Sequence, residues 1–298
     1  MTKRIPLGRS RVLVSPLGLG TNTWGRAGRP RLELRNVFQA ALSNGIALLD
    51  TAEIYAAGGS ERSLGEFLTG LDSAARPAVL SKFFPMPWRF RKTQLVDALR
   101  RSLERLRLSA LDVYLIHFPW GPRPIEAWVD ALADAANAGL VRAVGVSNYN
   151  AAQVRRAYRV LDARGIPLAC NEVELSLARR GAEKSGTLAA CRELGVSVIA
   201  YRPLARGRLV ASPVPARGMR GLMASGMRPG KRLEEVVKEI GKAHGGKTAA
   251  QVALNWVICK GAVPIPCATR ISHLMENIGA LGWQLSDVEV SELDSAAA

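Results

Sequence analysis

Four side chains in the first 120 residues could act together on one proton. Asp50 and Tyr55 close the run LLDTAEIY, Lys82 ends AVLSKF but for one residue, and His117 does the same for LDVYLIHF. Each stands where an apolar run gives way, which is where a buried strand would deliver its last side chains. A phenol titrates near ~10 and is a poor proton donor at neutral pH. A neighbouring ammonium favours the phenolate and lowers that value. A buried carboxylate can hold the ammonium, and an imidazole can hydrogen-bond the oxygen that receives the proton. Asp50, Tyr55, Lys82 and His117 therefore read as a device that delivers a proton to a carbonyl oxygen. No Ser or Cys pairs with a base in this pattern, and no cluster of His and carboxylates has metal-ligand spacing, so no metal is expected. A proton donor without a nucleophile needs a second reagent, and hydride from a nicotinamide would be the other half.

Those residues need elements that bring them together. Short β-like runs alternate with helix-like stretches along the chain. The candidate strands are residues 14–21, 47–52, 78–83, 111–118, 141–148, 168–175, 197–204 and 262–267. Amphipathic segments fall at 31–44, 91–107, 124–138, 150–164, 185–194, 248–260 and 270–280. In the second of these, Leu95, Leu99, Leu103 and Leu106 recur at helical spacing. Gly45, Gly139, Gly165 and Gly195 follow helical segments, as left-handed helix stops do. The strands are apolar on both faces, which suits parallel strands covered by helices. Eight such units without a linker predict an α/β fold, a (β/α)8 TIM barrel, as a single domain over residues 1–298. A doubly wound sheet lacks its signal, because LGLGTNTWG leads into GRAGRPRL and not directly into a helix. IPLGRSRVLVS predicts an N-terminal hairpin turning at Gly8-Arg9-Ser10, and SDVEVSELDSA a C-terminal helix capped by Ser286 or Asp287. In a barrel the C-terminal strand ends build the active site. That rim would carry Asp50, Lys82 and His117 with Ser147, Asn148, Glu172 and Tyr201. The Gly-, Pro- and Arg-rich stretch 205–232 follows the seventh strand on the same face and reads as a functional loop.

With 298 residues, 48% of them hydrophobic, the chain can bury a sizeable core. No apolar run reaches the ~18 residues of a membrane helix, and MTKRIPLGRS lacks the apolar stretch of a secretory signal. Cys170, Cys191, Cys259 and Cys267 lie far apart, as the reduced thiols of a cytoplasmic protein do. The net charge of +16 raises nucleic-acid binding as a reading. The basic residues are nevertheless spread over helix-like stretches with no basic block, so neither nucleic acid nor membrane is expected as a partner. A monomer is expected.

Taken in order, the motifs resemble the aldo-keto reductase family over nearly the whole chain. LLDTAEIYAAGGSERSLG resembles its Asp-Thr-Ala-x-x-Tyr-Gly signature, LSKF its lysine motif and LDVYLIHFP its histidine motif. VRAVGVSNYN, NEVELSL, AYRPLARGRL and PIPCATRISHLMENIGAL resemble its cofactor-binding motifs. MPWRF, after the third strand, resembles the short-loop bacterial and plant-plastid reductases. The resemblance implies a TIM barrel that uses NADPH to reduce aldehydes and ketones. It makes Tyr55 the general acid, Lys82 and Asp50 its modulators, and His117 the group that orients the substrate carbonyl. It gives Ser147 and Asn148 to the nicotinamide carboxamide and Tyr201 to the ring. It gives Arg270 to the 2′-phosphate, and Glu276 and Asn277 to the adenine. Thr21, Asp50, Glu172, Arg202 and Leu204 complete the implied cofactor set.

Four positions depart from the family pattern. Glu172 stands for Gln, Arg202 for Ser, Cys267 for Gly, and Ala56 for the Gly after the tyrosine. A carboxylate accepts hydrogen bonds but does not donate them, so Glu172 would alter cofactor binding. Trp24, Trp88 and Trp120 follow strand ends and are expected, with Tyr55 and His117, to line the substrate site, favouring apolar or aromatic aldehydes. If the long loop folds over the cofactor, some of Arg206, Arg208, Arg217, Arg220 and Arg228 would meet its pyrophosphate, and the loop is expected to order on NADPH binding. The alternative reading is an NADPH-binding, redox-sensing barrel with slow turnover that acts on a protein partner.

Overall fold

The computed structural model describes residues 3–28, 30–72, 75–207 and 230–297. Most of the long loop expected at 205–232, with Arg208, Arg217, Arg220 and Arg228, lies outside the described residues, as does the Arg206 side chain. A two-stranded antiparallel hairpin comes first, β1 (Ile5–Pro6) and β2 (Leu13–Val14). Eight parallel strands follow: β3 (Leu19–Gly20), β4 (Leu48–Asp50), β5 (Ala78–Phe83), β6 (Leu111–Ile116), β7 (Val141–Ser147), β8 (Leu168–Glu174), β9 (Ser197–Tyr201) and β10 (Ala262–Pro264). They lie side by side in chain order. The sheet closes on itself. Gly18 N donates to Pro264 O at 2.9 Å, Gly20 N donates to Pro266 O at 3.1 Å, and Gly20 bridges Cys267 in parallel.

Helices cover the outside. They are α1 (Arg31–Ser43), α2 (Gly59–Leu68), α3 (Thr93–Leu106), α4 (Ile125–Asn137), α5 (Ala151–Asp162), α6 (Gly181–Lys184), α7 (Thr187–Leu194), α8 (Lys231–Ala243), α9 (Ala249–Cys259), α10 (Ile271–Ile278) and α11 (Asp287–Ala296). Ser286 caps α11 in a reciprocal capping box with Glu289. The glycines after α1, α4, α5 and α7 all have positive φ, as helix stops require. None of the described helices is long and apolar enough to cross a membrane.

Strand side chains alternate between two apolar layers. Leu48, Leu80, Val113, Leu115, Cys170 and Ile199 fill the barrel interior. Leu49, Val79, Tyr114, Ile116 and Val173 pack outward among the helices. The hairpin joins the interior cluster through Leu7, Val12 and Val14. Gly8 N donates to Ser197 Oγ at 2.7 Å, so the hairpin plugs the end of the barrel where the strands begin. The opposite end stays open.

Candidate active site

Strand parity sets which polar residues enter that open end. Leu48 and Leu80 point inward, and two residues later on the same face come Asp50 and Lys82. Val113 and Leu115 lead in the same way to His117, and Cys170 leads to Glu172. Tyr55 begins a short 3-10 turn, Tyr55–Gly58, that joins β4 to α2. Ala56 and Ala57 in this turn have φ of 50° and 51°, and Gly58 has φ of 80°. Left-handed backbone at an alanine costs roughly 1–2 kcal/mol, so the surroundings must hold the turn. Arg62 of α2 donates to Ala57 O at 2.9 Å, and the fully buried Glu61 anchors that helix by accepting from Arg105 Nε at 2.6 Å and Ser81 Oγ at 2.5 Å.

The Lys82 ammonium is the hub. Its Nζ donates to Asp50 Oδ1, to Thr51 O at 3.0 Å and to the Tyr55 hydroxyl at 3.5 Å. Glu172 Oε2 lies 3.3 Å away. Burial opposes the charge on Lys82, but Asp50 and Glu172 outweigh it and raise the lysine above its ordinary pKa. The Tyr55 phenol also moves up. Lys82 pulls it down as the sequence suggested, but burial, aided by Asp50 and Glu172, pushes harder. Burial, reinforced by Lys82, lowers His117 to about 2, so its imidazole is neutral at pH 7. The His117 Nδ1 is buried without a protein partner. Its ring meets Tyr55 edge-on at 5.8 Å and stacks on Phe118 at 5.0 Å.

Asn148, at φ 64°, ties the next part of the rim together. Its side-chain amide donates to His117 O and to Ser147 Oγ, both at 3.0 Å, and accepts from the Tyr201 hydroxyl at 2.8 Å. Ser147 Oγ and Asn148 N both donate to the Glu172 carbonyl.

One cavity of about 1140 Å³ joins these groups. Asp50, Tyr55, His117, Ser147, Asn148, Glu172, Tyr201, Arg202, Leu204, Glu276 and Asn277 all line it. Lys82 lies just beneath, fully buried. Three expectations need correction. Trp24 is completely buried, donates from its indole to Ala268 O at 3.0 Å and packs on Phe67, so it supports the wall from behind. Trp88 and Trp120 are exposed at 65% and 54% and lie outside the cavity lining. Trp120 stacks at 4.3 Å on Phe118, which is the lining residue. Thr21 is buried too, and its hydroxyl donates to Asp50 O at 2.7 Å. Arg270 is exposed at the start of α10, whose His273, Glu276 and Asn277 line the cavity.

Sequence reasoning missed Arg26, Ile54, Phe118 and His273 in the lining. Phe118 follows His117 directly, so the signal for it was present. Arg202 sits at φ 50°, with its guanidinium 3.5 Å from Glu174 and over the Tyr201 ring. Cys267 lines the cavity with Thr23 Oγ1 3.2 Å from its sulfur.

The chain is similar to known proteins over nearly its whole length. The sequence profile of the Aldo/keto reductase family matches residues 16–298. A chloroplastic pyridoxal reductase from Arabidopsis thaliana is 40% identical, over 95% of this chain and 83% of its own length. Methylglyoxal reductase YeaE from Escherichia coli is 34% identical, over 95% of this chain and 92% of its own. The crystal structure of an aldo-keto reductase from Klebsiella pneumoniae in complex with NADPH superposes with a TM-score of 0.81. It is 31% identical and covers 99% of this chain and 95% of its own.

Proposed function

The chain belongs to the aldo/keto reductase family, and on that premise we propose that it reduces small aldehydes and ketones to alcohols with NADPH, with Tyr55 as proton donor. The observation that carries the reading is the Tyr55 hydroxyl, 3.5 Å from the buried Lys82 ammonium and open to the same cavity as His117, Asn148 and Tyr201. The lining fits a nicotinamide dinucleotide. It offers amide and hydroxyl groups at one part, the flat Tyr201 ring, and cationic side chains such as Arg26 and Arg202 for phosphates.

The bound cofactor would supply hydride to the carbonyl carbon. Ser147, Asn148 and Glu172 would hold the carboxamide, and Tyr201 the ring face. Arg202 and Leu204 would lie along the cofactor, with Arg270, Glu276 and Asn277 at its adenosine end. Neutral His117 accepts or donates one hydrogen bond and so positions the substrate oxygen against the Tyr55 hydroxyl. Tyr55 gives its proton as the oxygen gains negative charge, and Lys82 stabilises the phenolate left behind.

Phe118, stacked between His117 and Trp120 and met edge-on by Phe84, gives the substrate side a flat apolar wall. Such a wall favours an aromatic aldehyde, and the name of the plant relative carries one, pyridoxal. The four free thiols suit a reducing compartment, in keeping with a cytoplasmic protein. The test is NADPH oxidation with pyridoxal, benzaldehyde and methylglyoxal, comparing the parent protein with Tyr55→Phe. The expected result is turnover by the parent, fastest with the aromatic aldehydes, and a loss of at least ~100-fold in Tyr55→Phe with NADPH affinity retained. A parent that binds NADPH and reduces no carbonyl would favour the slow-turnover sensor instead.

A further inference from the structure

Lys82 is one ammonium shared by two buried carboxylates. Its Nζ touches Asp50 Oδ1 and lies 3.3 Å from Glu172 Oε2, and none of the three side chains is more than 4% exposed. With all three charged, the cluster would carry a net negative charge shut away from water. Buried like charges that share one counter-ion do not both ionise at ordinary pH. One carboxyl must hold a proton. Asp50 has the closer contact with the ammonium and is the better anion. Glu172 is farther away, and its Oε2 has no hydrogen-bond partner.

Burial and the Asp50 charge push Glu172 up to about 8. The other titratable groups facing it are Tyr55 from the β4–α2 turn, Cys170 on its own strand and Tyr201 from β9, all held neutral by burial at pH 7. From β7 the facing group is the uncharged Ser147 hydroxyl.

We propose that Glu172 is the proton store of this site, protonated in the resting protein and discharged through Lys82 to Tyr55 in each reduction. The inference rests on the reductase reading above. Tyr55 gives its proton to the substrate oxygen and becomes phenolate. Lys82 reprotonates it and becomes an amine, and Glu172 returns a proton to Lys82 and becomes a carboxylate. The bound cofactor would supply the electron pair as hydride and be left with a positive ring, so the negative charge gained by Glu172 would be matched and the buried charge conserved. Water reprotonates Glu172 when the oxidised cofactor leaves. Glutamine, the residue expected here from the family resemblance, has no proton to give.

Binding alone tests this, without turnover. NADP+ and NADPH carry the same phosphates and differ by the ring charge. Their dissociation constants are measured by quenching of tryptophan fluorescence from about pH 6 to about pH 10, for the parent and Glu172→Gln. In the parent, Kd for NADP+ relative to NADPH should fall as pH rises, approaching tenfold per pH unit below about 8, and then level off. NADP+ binding near neutral pH should release about one proton to a weakly buffered indicator solution. In Glu172→Gln the ratio should be flat and no proton released. A flat ratio in the parent, or a pH dependence that survives the substitution, overturns the proposal while leaving the reductase reading intact. Failure of the parent to bind either nucleotide overturns both. The infrared band of a protonated carboxyl in the parent alone, lost above about pH 9, is an independent check should the variant not fold.

Discussion

Tyr55 is surrounded by forces that oppose one another, and their balance decides how it can act. Burial and the Asp50 carboxylate oppose its ionised form, while Lys82 favours it. The phenol therefore stays protonated until an acceptor oxygen gains charge, as a general acid should. His117 adds no charge of its own. Its lowered pKa means that the native protein binds fewer protons than the unfolded chain between about 2 and the ordinary ~6.5. Stability from this group is complete above ~6.5 and drains away as pH falls below it. For catalysis, kcat/KM measured from about pH 5.5 to about pH 9.5 should show no inflection near ~6.5. It should decline above about 8, where ionised Glu172 makes Tyr55 a weaker acid. A decline as pH rises through ~6.5 would assign the proton donor to an imidazolium instead. Asp50, Lys82 and His117 were legible because each is a polar residue at the end of an apolar strand, and Tyr55 because it follows the same run five residues on. Trp24 was misread because an aromatic residue after a strand looks the same in sequence whether it faces the cavity or the core.

At the scale of the elements, α2 holds the Tyr55 turn in place. Its Glu61 reaches Arg105 on α3 and Ser81 on β5, and its Gly65 lets α3 approach closely. A Cβ on Gly65 would meet Arg105 O at 2.3 Å, a contact that only backbone movement relieves. Gly65→Ala should destabilise the protein by ~1–3 kcal/mol, read as a fall in Tm, and should lower kcat more than a remote surface change does. An unchanged Tm would show that the two helices have slack. This helix was not legible in sequence, because Gly58-Gly59-Ser60 reads as a turn and the helix starts directly from it. Helix α8 was also missed. Its Leu233, Val236, Val237 and Ile240 recur at helical spacing, but the loop was read to 232 and no element was assigned after it. The run 78–83 matches β5, most other runs were read too long because their last residues turn into the rim, and 14–21 also took in Val14 of the hairpin strand β2.

Across the whole molecule, the barrel places its chemistry at one end and its plug at the other. The hairpin seals the end where the strands begin, so ligands enter from the rim that carries Tyr55 and His117. This architecture was legible because eight apolar runs alternate with amphipathic stretches, a pattern set by burial alone. The charge of +16 is written over the helix faces, where pairs such as Arg155–Glu193 and Arg156–Glu126 contribute little to stability. The central claim is that this rim joins a hydride and a proton on one carbonyl. The most direct measurement uses NADPH carrying deuterium at its transferable position, with an aromatic aldehyde as acceptor and mass spectrometry of the product. The account predicts an alcohol with one deuterium on its carbinol carbon from the parent protein, and almost none formed by Tyr55→Phe although it still binds NADPH. Alcohol without deuterium on that carbon, or equal yield from the Tyr55→Phe variant, would contradict it.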